Sequence, residues 1–244
     1  MTGKRVFTAA LCAALVCTML LAAGCSDKDE PTAKGTAQEW NQLIDELDAL
    51  GKDGEAVDDE TQALPEDRVL ALVRSTAQIA KMEDFFDQDT PYILFRVCVM
   101  GATAEGKSEE EAFEYAREMV NREQAALWYA EEHDIEVTDE GLRAWLESVD
   151  GPEREQAVFE KACQKAEVSF DFVNSYIQRQ YRMLYILELA HQADEKVNEE
   201  AMTAEYKASD DYKNTEKIFE NCEKIYKSGE DRDLEKVLAA DIWY

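Results

Sequence analysis

The sequence has few of the residues that build most catalytic and metal sites. Its 244 residues include only two histidines, His133 and His191, with ten glycines and four prolines. Neither histidine has a partner at metal-ligand spacing, and we interpret both as charges near helix C-termini. The chain also has no G-x-S-x-G elbow, glycine-rich phosphate loop or H-E-x-x-H motif. We therefore predict no catalytic residue, metal or cofactor, and we expect that the chain is not an enzyme.

Only one long hydrophobic run is present, and it lies at the start of the chain. Lys4 and Arg5 precede an uncharged apolar stretch over residues 6–23. This layout is typical of a secretory signal peptide, although its length is also close to that of a short membrane helix. The small residues that end the stretch favour the signal peptide.

Residues 21–25, Leu-Ala-Ala-Gly-Cys, resemble the lipobox of bacterial lipoproteins. In that family the peptidase cuts before the cysteine, whose thiol receives diacylglycerol. The resemblance implies a signal peptide over residues 1–24 and lipidation of Cys25. Two or three acyl chains suffice for stable anchoring, so we expect the protein on the extracytoplasmic face of the cell membrane.

Basic residues are scarce. All 54 acidic residues but only 24 of the 26 basic ones follow the signal peptide, so the mature net charge is 24 minus 54, or −30. Such a surface repels nucleic acid and anionic headgroups, so we expect membrane contact through the N-terminal lipid only. The charge either keeps the surface solvated or attracts cationic segments of client proteins.

Three cysteines remain in the mature chain besides Cys25: Cys98, Cys163 and Cys222. At most one pair can form among three, and their separations match no zinc spacing. We expect buried thiols, while one disulfide stays open as an alternative.

Capping residues and helical spacing predict an all-α bundle of about seven or eight helices behind the signal peptide and a flexible tether. The predicted boundaries are 25–35 for the lipid-attached tether, 36–107 for an N-terminal helical segment and 108–244 for a second helical domain. The run over residues 92–100 could be a strand by composition. Thr90 as cap and Pro91 at the first helical position favour a helix.

The order of caps and apolar positions over residues 119–206 resembles the helical chaperone domain shared by SurA, PrsA-type foldases and the trigger factor C-terminal region. The segments that carry this likeness are residues 124–130, 133–140, 159–166, 167–173 and 197–206. In the foldases a parvulin-type isomerase domain usually follows. Only 38 residues (244 minus 206) follow Tyr206, with one glycine and no histidine. The resemblance therefore implies a chaperone without isomerase activity.

The predicted helix beginning at Ser169 carries two apolar stripes about 130° apart at 100° per residue. One stripe contains Phe170, Val173, Ile177, Tyr181 and Leu184, and the other contains Phe172, Tyr176, Met183, Ile186 and Ala190. Two stripes indicate either a helix central to the bundle or a second face that binds peptide. On the second interpretation the peptide-binding residues are Phe172, Tyr176, Met183 and Ile186.

These observations predict a membrane-anchored extracytoplasmic lipoprotein that binds unfolded or newly secreted polypeptides. A helical scaffold with one fixed protein partner and a small-ligand binding lipoprotein are the alternatives.

Overall fold

The structure is a computed structural model that describes residues 32–53, 66–86, 90–149 and 153–243. Every regular element within these ranges is helical, and an isolated bridge between Ala33 and Phe86 is their only β-type pairing. The all-α prediction is confirmed. None of the helices in these ranges has the length and apolar character needed to cross a membrane. The predicted signal peptide, Cys25 and most of the predicted tether lie outside the described residues.

The helices of the described ranges follow in chain order. They are α1 (Ala37–Asp53), α2 (Glu66–Asp84), α3 (Pro91–Ala104), α4 (Glu109–Glu132), α5 (Asp139–Val149), α6 (Glu153–Ala166), α7 (Phe170–Gln180), α8 (Arg182–Ala193), α9 (Glu199–Ala208), α10 (Tyr212–Ser228), a 3₁₀ helix (Glu230–Arg232) and α11 (Leu234–Ala239). The predicted number of helices is close to this set. The predicted long helix from Ser169 divides at Tyr181, and short helices follow near the C-terminus.

Side-chain caps start several of these helices where the sequence predicts them. The Ser108 hydroxyl accepts a hydrogen bond from the Glu111 backbone N–H, and the Glu111 carboxylate accepts one from the Ser108 backbone, so α4 begins with a capping box. Thr36 and Glu39 make the same exchange at α1. Asn198 accepts from the Ala201 backbone at the start of α9. These bonds satisfy backbone donors that the first helical turn leaves open.

Residues 92–100 lie within helix α3, so the helical interpretation of this run is confirmed. Thr90 accepts a hydrogen bond from the Tyr92 backbone N–H, and Pro91 occupies the first turn. The helix is buried over almost its whole surface. A helix surrounded by neighbours needs no polar face, which explains why its sequence shows no clear helical period.

The buried side chains of the described residues form three clusters. The first cluster joins α1, the second half of α2, α3, the first half of α4, α10 and α11, and Tyr176 of α7 also belongs to it. It draws on both sides of the predicted boundary between residues 107 and 108. The second cluster joins the end of α4 to α8 and α9, and the third joins α2, α6 and α7.

A buried charge group connects the beginning and the end of the described fold. The Arg96 guanidinium of α3 donates to Asp231 Oδ2 at 2.9 Å and to both oxygens of Asp48 at 2.9 and 3.1 Å. Trp40 of α1 donates its indole N–H to the Asp231 carbonyl at 2.6 Å. Burial acts to lower the pKa of Arg96, but the hydrogen bond to Asp231 and the charge of Asp48 raise it overall. The guanidinium therefore stays charged inside the fold.

Candidate functional site

The structure places the four predicted peptide-binding residues in different surroundings. Tyr176 belongs to the first cluster and is 2% exposed, whereas Ile186 belongs to the second cluster and is 1% exposed. Phe172 is half-buried between the first and third clusters. Met183 is half-buried against the second cluster and lines an open cleft.

Burial corrects the proposed binding face. Because Tyr176 and Ile186 are enclosed by core side chains, binding of a client by these two residues would require the core to open. Helices α7 and α8 are central, since their side chains enter all three clusters. This position accounts for the two apolar stripes. We therefore place the candidate surface at Met183 and its spatial neighbours, not at Tyr176 and Ile186.

The cleft at Met183 is formed where α4, α8 and α9 meet. Its apolar wall consists of Ala126 from α4, Met183 and Leu187 from α8, and Met202 from α9. Met202 and Ala126 are buried and form its floor, whereas Met183 and Leu187 are half-buried at its opening. We call this feature the methionine cleft. Unbranched, polarisable methionine side chains adapt to apolar groups of different shape.

An ion pair lies at the polar side of the methionine cleft. Arg122 of α4 donates from Nη2 to Glu199 Oε2 at 2.6 Å, and both residues line the cleft. Glu199 is also in the first turn of α9, where a negative charge is favourable. The pair neutralises the one cation of the cleft lining, so this wall offers no net positive charge to a ligand.

The methionine cleft is small. Its volume is about 10 Å³, which is roughly the room that one water molecule needs. Pockets for small organic ligands usually have volumes of about 300 to 1,000 Å³. The cleft fits the end of one apolar side chain and does not enclose a small molecule.

Both histidines lie beside this region and have structural partners. His133 follows α4, stacks on Tyr129 with ring centroids 3.9 Å apart, and bonds to Glu205 of α9 at 2.9 Å. His191 lies in the last turn of α8, and its Nδ1 donates to the Val197 carbonyl at 2.9 Å. The His133 contact holds the end of α4 against α9, and the His191 contact holds the end of α8 against the segment that leads into α9.

The Cys163 and Cys222 thiols are poor nucleophiles. Cys98, Cys163 and Cys222 are buried thiols, as the sequence predicts. Burial raises the pKa of Cys163 and of Cys222, and a neighbouring glutamate raises each further. A protonated thiol does not attack a substrate. The described residues also contain no group of three or more His, Cys, Asp or Glu side chains able to hold a metal ion.

Sequence reasoning found Met183 but missed the other residues of the methionine cleft. Ala126 and Met202 lie on separate helices and meet Met183 only through tertiary packing. The apolar stripes showed that α8 has more than one apolar side, but they could not show which partner covers each side. The capping signals at Ser108 and Asn198 locate the other two helices.

Comparison with known proteins gave no further identification, since no family model, curated protein or solved structure matches the chain significantly.

Proposed function

We propose that this protein is a lipid-anchored extracytoplasmic lipoprotein that binds unfolded or newly secreted polypeptides in a chaperone-like way, without isomerase activity. The observation that carries the proposal is the methionine cleft, which lies within the stretch that resembles helical chaperone domains. The lipobox-like residues at Cys25 support the location.

The size of the cleft sets the expected strength of binding. Complete burial of a client leucine would contribute about 1.5 to 3 kcal/mol, and a cleft of about 10 Å³ takes up only the end of such a side chain. Even a millimolar dissociation constant needs about 4 kcal/mol. One side chain in the cleft therefore gives only weak and rapidly reversible contact. Such binding suits a protein that must release its clients for folding.

Aggregation suppression tests the proposal. We would mix a chemically unfolded model client with the chain from Ser26 onward, which contains every described residue, and follow light scattering. The test variant is Met183→Gln, because it keeps the length of the side chain and makes its end polar. The matched control is Met100→Gln, since Met100 is also half-buried but packs against the first cluster.

We expect the unchanged chain and Met100→Gln to suppress scattering at micromolar concentration, and Met183→Gln to lose most of this protection. Several unrelated clients should be protected. A chain that protects none of them would overturn the chaperone proposal. Specific capture of a single folded partner would instead favour the scaffold alternative.

Prolyl isomerase activity is a separate test of the non-catalytic role. A protease-coupled assay on the chain from Ser26 onward should give the uncatalysed rate for a proline-containing peptide. A clear acceleration at micromolar protein would contradict the proposal that the protein only binds its clients.

A further inference from the structure

Helix α8 carries apolar side chains on more sides than the one that it buries in the second cluster. Ile186 and Ala190 reach the second cluster, which is the expected buried face. Five further apolar or aromatic side chains of the same helix are only half-buried: Met183, Leu184, Tyr185, Leu187 and Leu189. A group of partly accessible apolar side chains on one helix is a candidate surface for contact with another molecule when the side chains are contiguous.

The half-buried side chains form a continuous strip along α8. Met183 and Leu187 are four residues apart, Leu187 and Leu184 three, and Leu184 and Tyr181 three. Residues at these spacings are neighbours on a helix surface. The strip therefore begins at the methionine cleft and passes across α8 to Tyr181.

Helix α5 extends the strip beyond α8. The Trp145 ring lies 5.6 Å from the Tyr185 ring and 6.5 Å from the Tyr181 ring, and all three side chains are half-buried. We call the surface from Met183 to Trp145 the apolar strip. The apolar strip is long enough to contact several side chains of a client, whereas the methionine cleft alone contacts only one.

The elements that carry the apolar strip are acidic. Helix α5 has three carboxylates and one arginine, and residues 182–208 have six carboxylates and three Lys or Arg, giving nine acidic and four basic side chains in total. Glu188 lies four residues after Leu184, and its carboxylate accepts a hydrogen bond from the neutral Gln192 amide at 2.9 Å. No ion pair among the described side chains includes Glu188, so within this part of the chain its negative charge at the edge of the strip has no cationic partner.

From this arrangement we propose that the apolar strip binds extended client segments in which Leu or aromatic residues alternate with Lys or Arg. The apolar side chains of such a segment pack on the strip, and its cationic side chains approach Glu188 and the other carboxylates. This inference rests on the proposed function and names its client class. Opposite charges also speed encounter, because the whole mature chain attracts cations.

Peptide binding measured by fluorescence anisotropy tests the inference on the chain from Ser26 onward. Three labelled peptides would share the same leucines and differ at the intervening positions, which are Lys, Ser or Glu. We expect the Lys peptide to bind about tenfold more tightly than the Ser peptide, and the Glu peptide to bind least. Raising the salt to about 0.5 M should remove most of this difference, since exposed charges are then screened.

Two variants assign the binding to the strip. Glu188→Gln should weaken the Lys peptide about threefold and leave the Ser peptide unchanged. Glu46→Gln is the matched control, because Glu46 of α1 is also half-buried and accepts the same hydrogen bond from a glutamine four residues away. Leu184→Gln should weaken both peptides. If that variant unfolds by circular dichroism, the comparison of Glu188→Gln with Glu46→Gln still decides.

Equal affinity for the Lys and Ser peptides, or equal effects of Glu188→Gln and Glu46→Gln, would overturn the inference. Retained aggregation suppression in that case would leave the proposed function standing. Self-association that Leu184→Gln abolishes, without peptide binding, would also overturn it, because the strip would then be covered by a second copy. If the unchanged chain does not suppress aggregation at all, the proposed function itself is wrong.

Discussion

At the scale of single residues, the most consequential side chain of the described fold is Arg96. Its side chain is 7% exposed, and it carries the only positive charge bonded to the equally buried Asp231 in the ion pairs of the described residues. Removing one partner of a buried ion pair leaves the other charge without compensation in a poorly solvated place. The stability of the connection between α1, α3 and the C-terminal segment therefore depends on this guanidinium.

We expect Arg96→Met to lower the free energy of unfolding by about 3 to 5 kcal/mol. The control is Arg232→Met, since Arg232 also bonds to Asp48 but its side chain is 43% exposed. An exposed pair of this kind contributes about 0 to 1 kcal/mol. Urea denaturation followed by circular dichroism measures both. Similar decreases in the free energy of unfolding of the two variants would mean that breaking the buried Arg96 pair destabilises the fold no more than breaking an exposed pair.

Thiol protection is a second prediction for single residues. Cys98, Cys163 and Cys222 are buried, so none should react with iodoacetamide in the native chain from Ser26 onward. In denaturant without reductant, all three should react, and mass spectrometry should count three additions. A count of one in denaturant would show a disulfide between two of them and contradict the structure.

The residue scale also shows where sequence reasoning succeeds and where it stops. The cap at Thr90 and the box at Ser108 were predictable because partner and cap lie within three residues. The bond between Arg96 and Asp231 joins residues 135 positions apart. No local pattern marks such a pair, since one arginine in an apolar run has many possible acidic partners in this chain.

At the scale of elements, the capping box of α4 should contribute measurably to stability. Replacing a serine cap by alanine costs about 1 kcal/mol, so Ser108→Ala should shift the urea midpoint downward. Ser75→Ala is the control, because the Ser75 hydroxyl bonds to carbonyls inside α2 and caps no helix. A loss no greater than that of the control would contradict the cap assignment.

The pH dependence of this cap follows from Glu111. Hydrogen bonds from the Ser108 side chain and backbone lower the pKa of Glu111 from its usual 4.5. A carboxylate with a lowered pKa in the folded state stabilises the fold above its unfolded pKa, and this contribution is lost as the pH falls through the folded pKa. The parent chain and Ser108→Ala should therefore differ less in their free energy of unfolding when the pH is lowered below about 4.5.

The sequence predicted helices over most of the described residues, but it did not predict which face of each helix is buried. The sequence pattern predicts one long helix from Ser169, whereas the structure has α7 and α8 on either side of Tyr181. Tyr176 and Ile186 lie on one predicted stripe yet enter different clusters. Helical spacing reports which residues share a face. It does not report whether a neighbouring helix covers that face, and this is why the predicted peptide-binding set included two core residues.

At the scale of the whole molecule, net charge should weaken the fold at low ionic strength. The chain from Ser26 onward has a net charge of −30, from 24 basic and 54 acidic residues. Like charges destabilise the compact state more than the expanded one, and salt screens them. Raising sodium chloride from about 0.01 M to about 0.5 M should therefore stabilise the chain, and relief of about 1 kcal/mol would raise the melting temperature by about 2 to 4 °C.

Thermal melts followed by circular dichroism measure this effect on the chain from Ser26 onward. A fall in melting temperature with added salt would mean that specific ion pairs, such as Arg117 with Glu223, outweigh the general repulsion. In that case the change in melting temperature with salt should differ from that of the parent chain less in Arg96→Met than in Arg117→Met. The reason is that salt screens a buried ion pair less than a partly exposed one.

The predicted location of the molecule depends on a single atom, the Cys25 sulfur. Cys25 lies outside the described residues, and its lipidation is predicted from the lipobox-like sequence. Acylation of this site requires a thioether, which only a thiol can form, so neither Cys25→Ser nor Cys25→Ala should be acylated. Because cleavage in lipoproteins follows acylation, both variants should also keep the 24 residues that precede Cys25.

Metabolic labelling with palmitate in a bacterial host measures this prediction. The parent precursor should incorporate label and run as the shorter mature form, whereas Cys25→Ala should show neither label nor shortening. Cys98→Ala is the matched control, because it removes a cysteine from the buried core and should leave labelling unchanged. The highly acidic surface gives anionic lipid no reason to bind the folded part. Acyl chains at Cys25 are therefore the expected attachment, and undiminished labelling of Cys25→Ala would show that the anchor lies elsewhere.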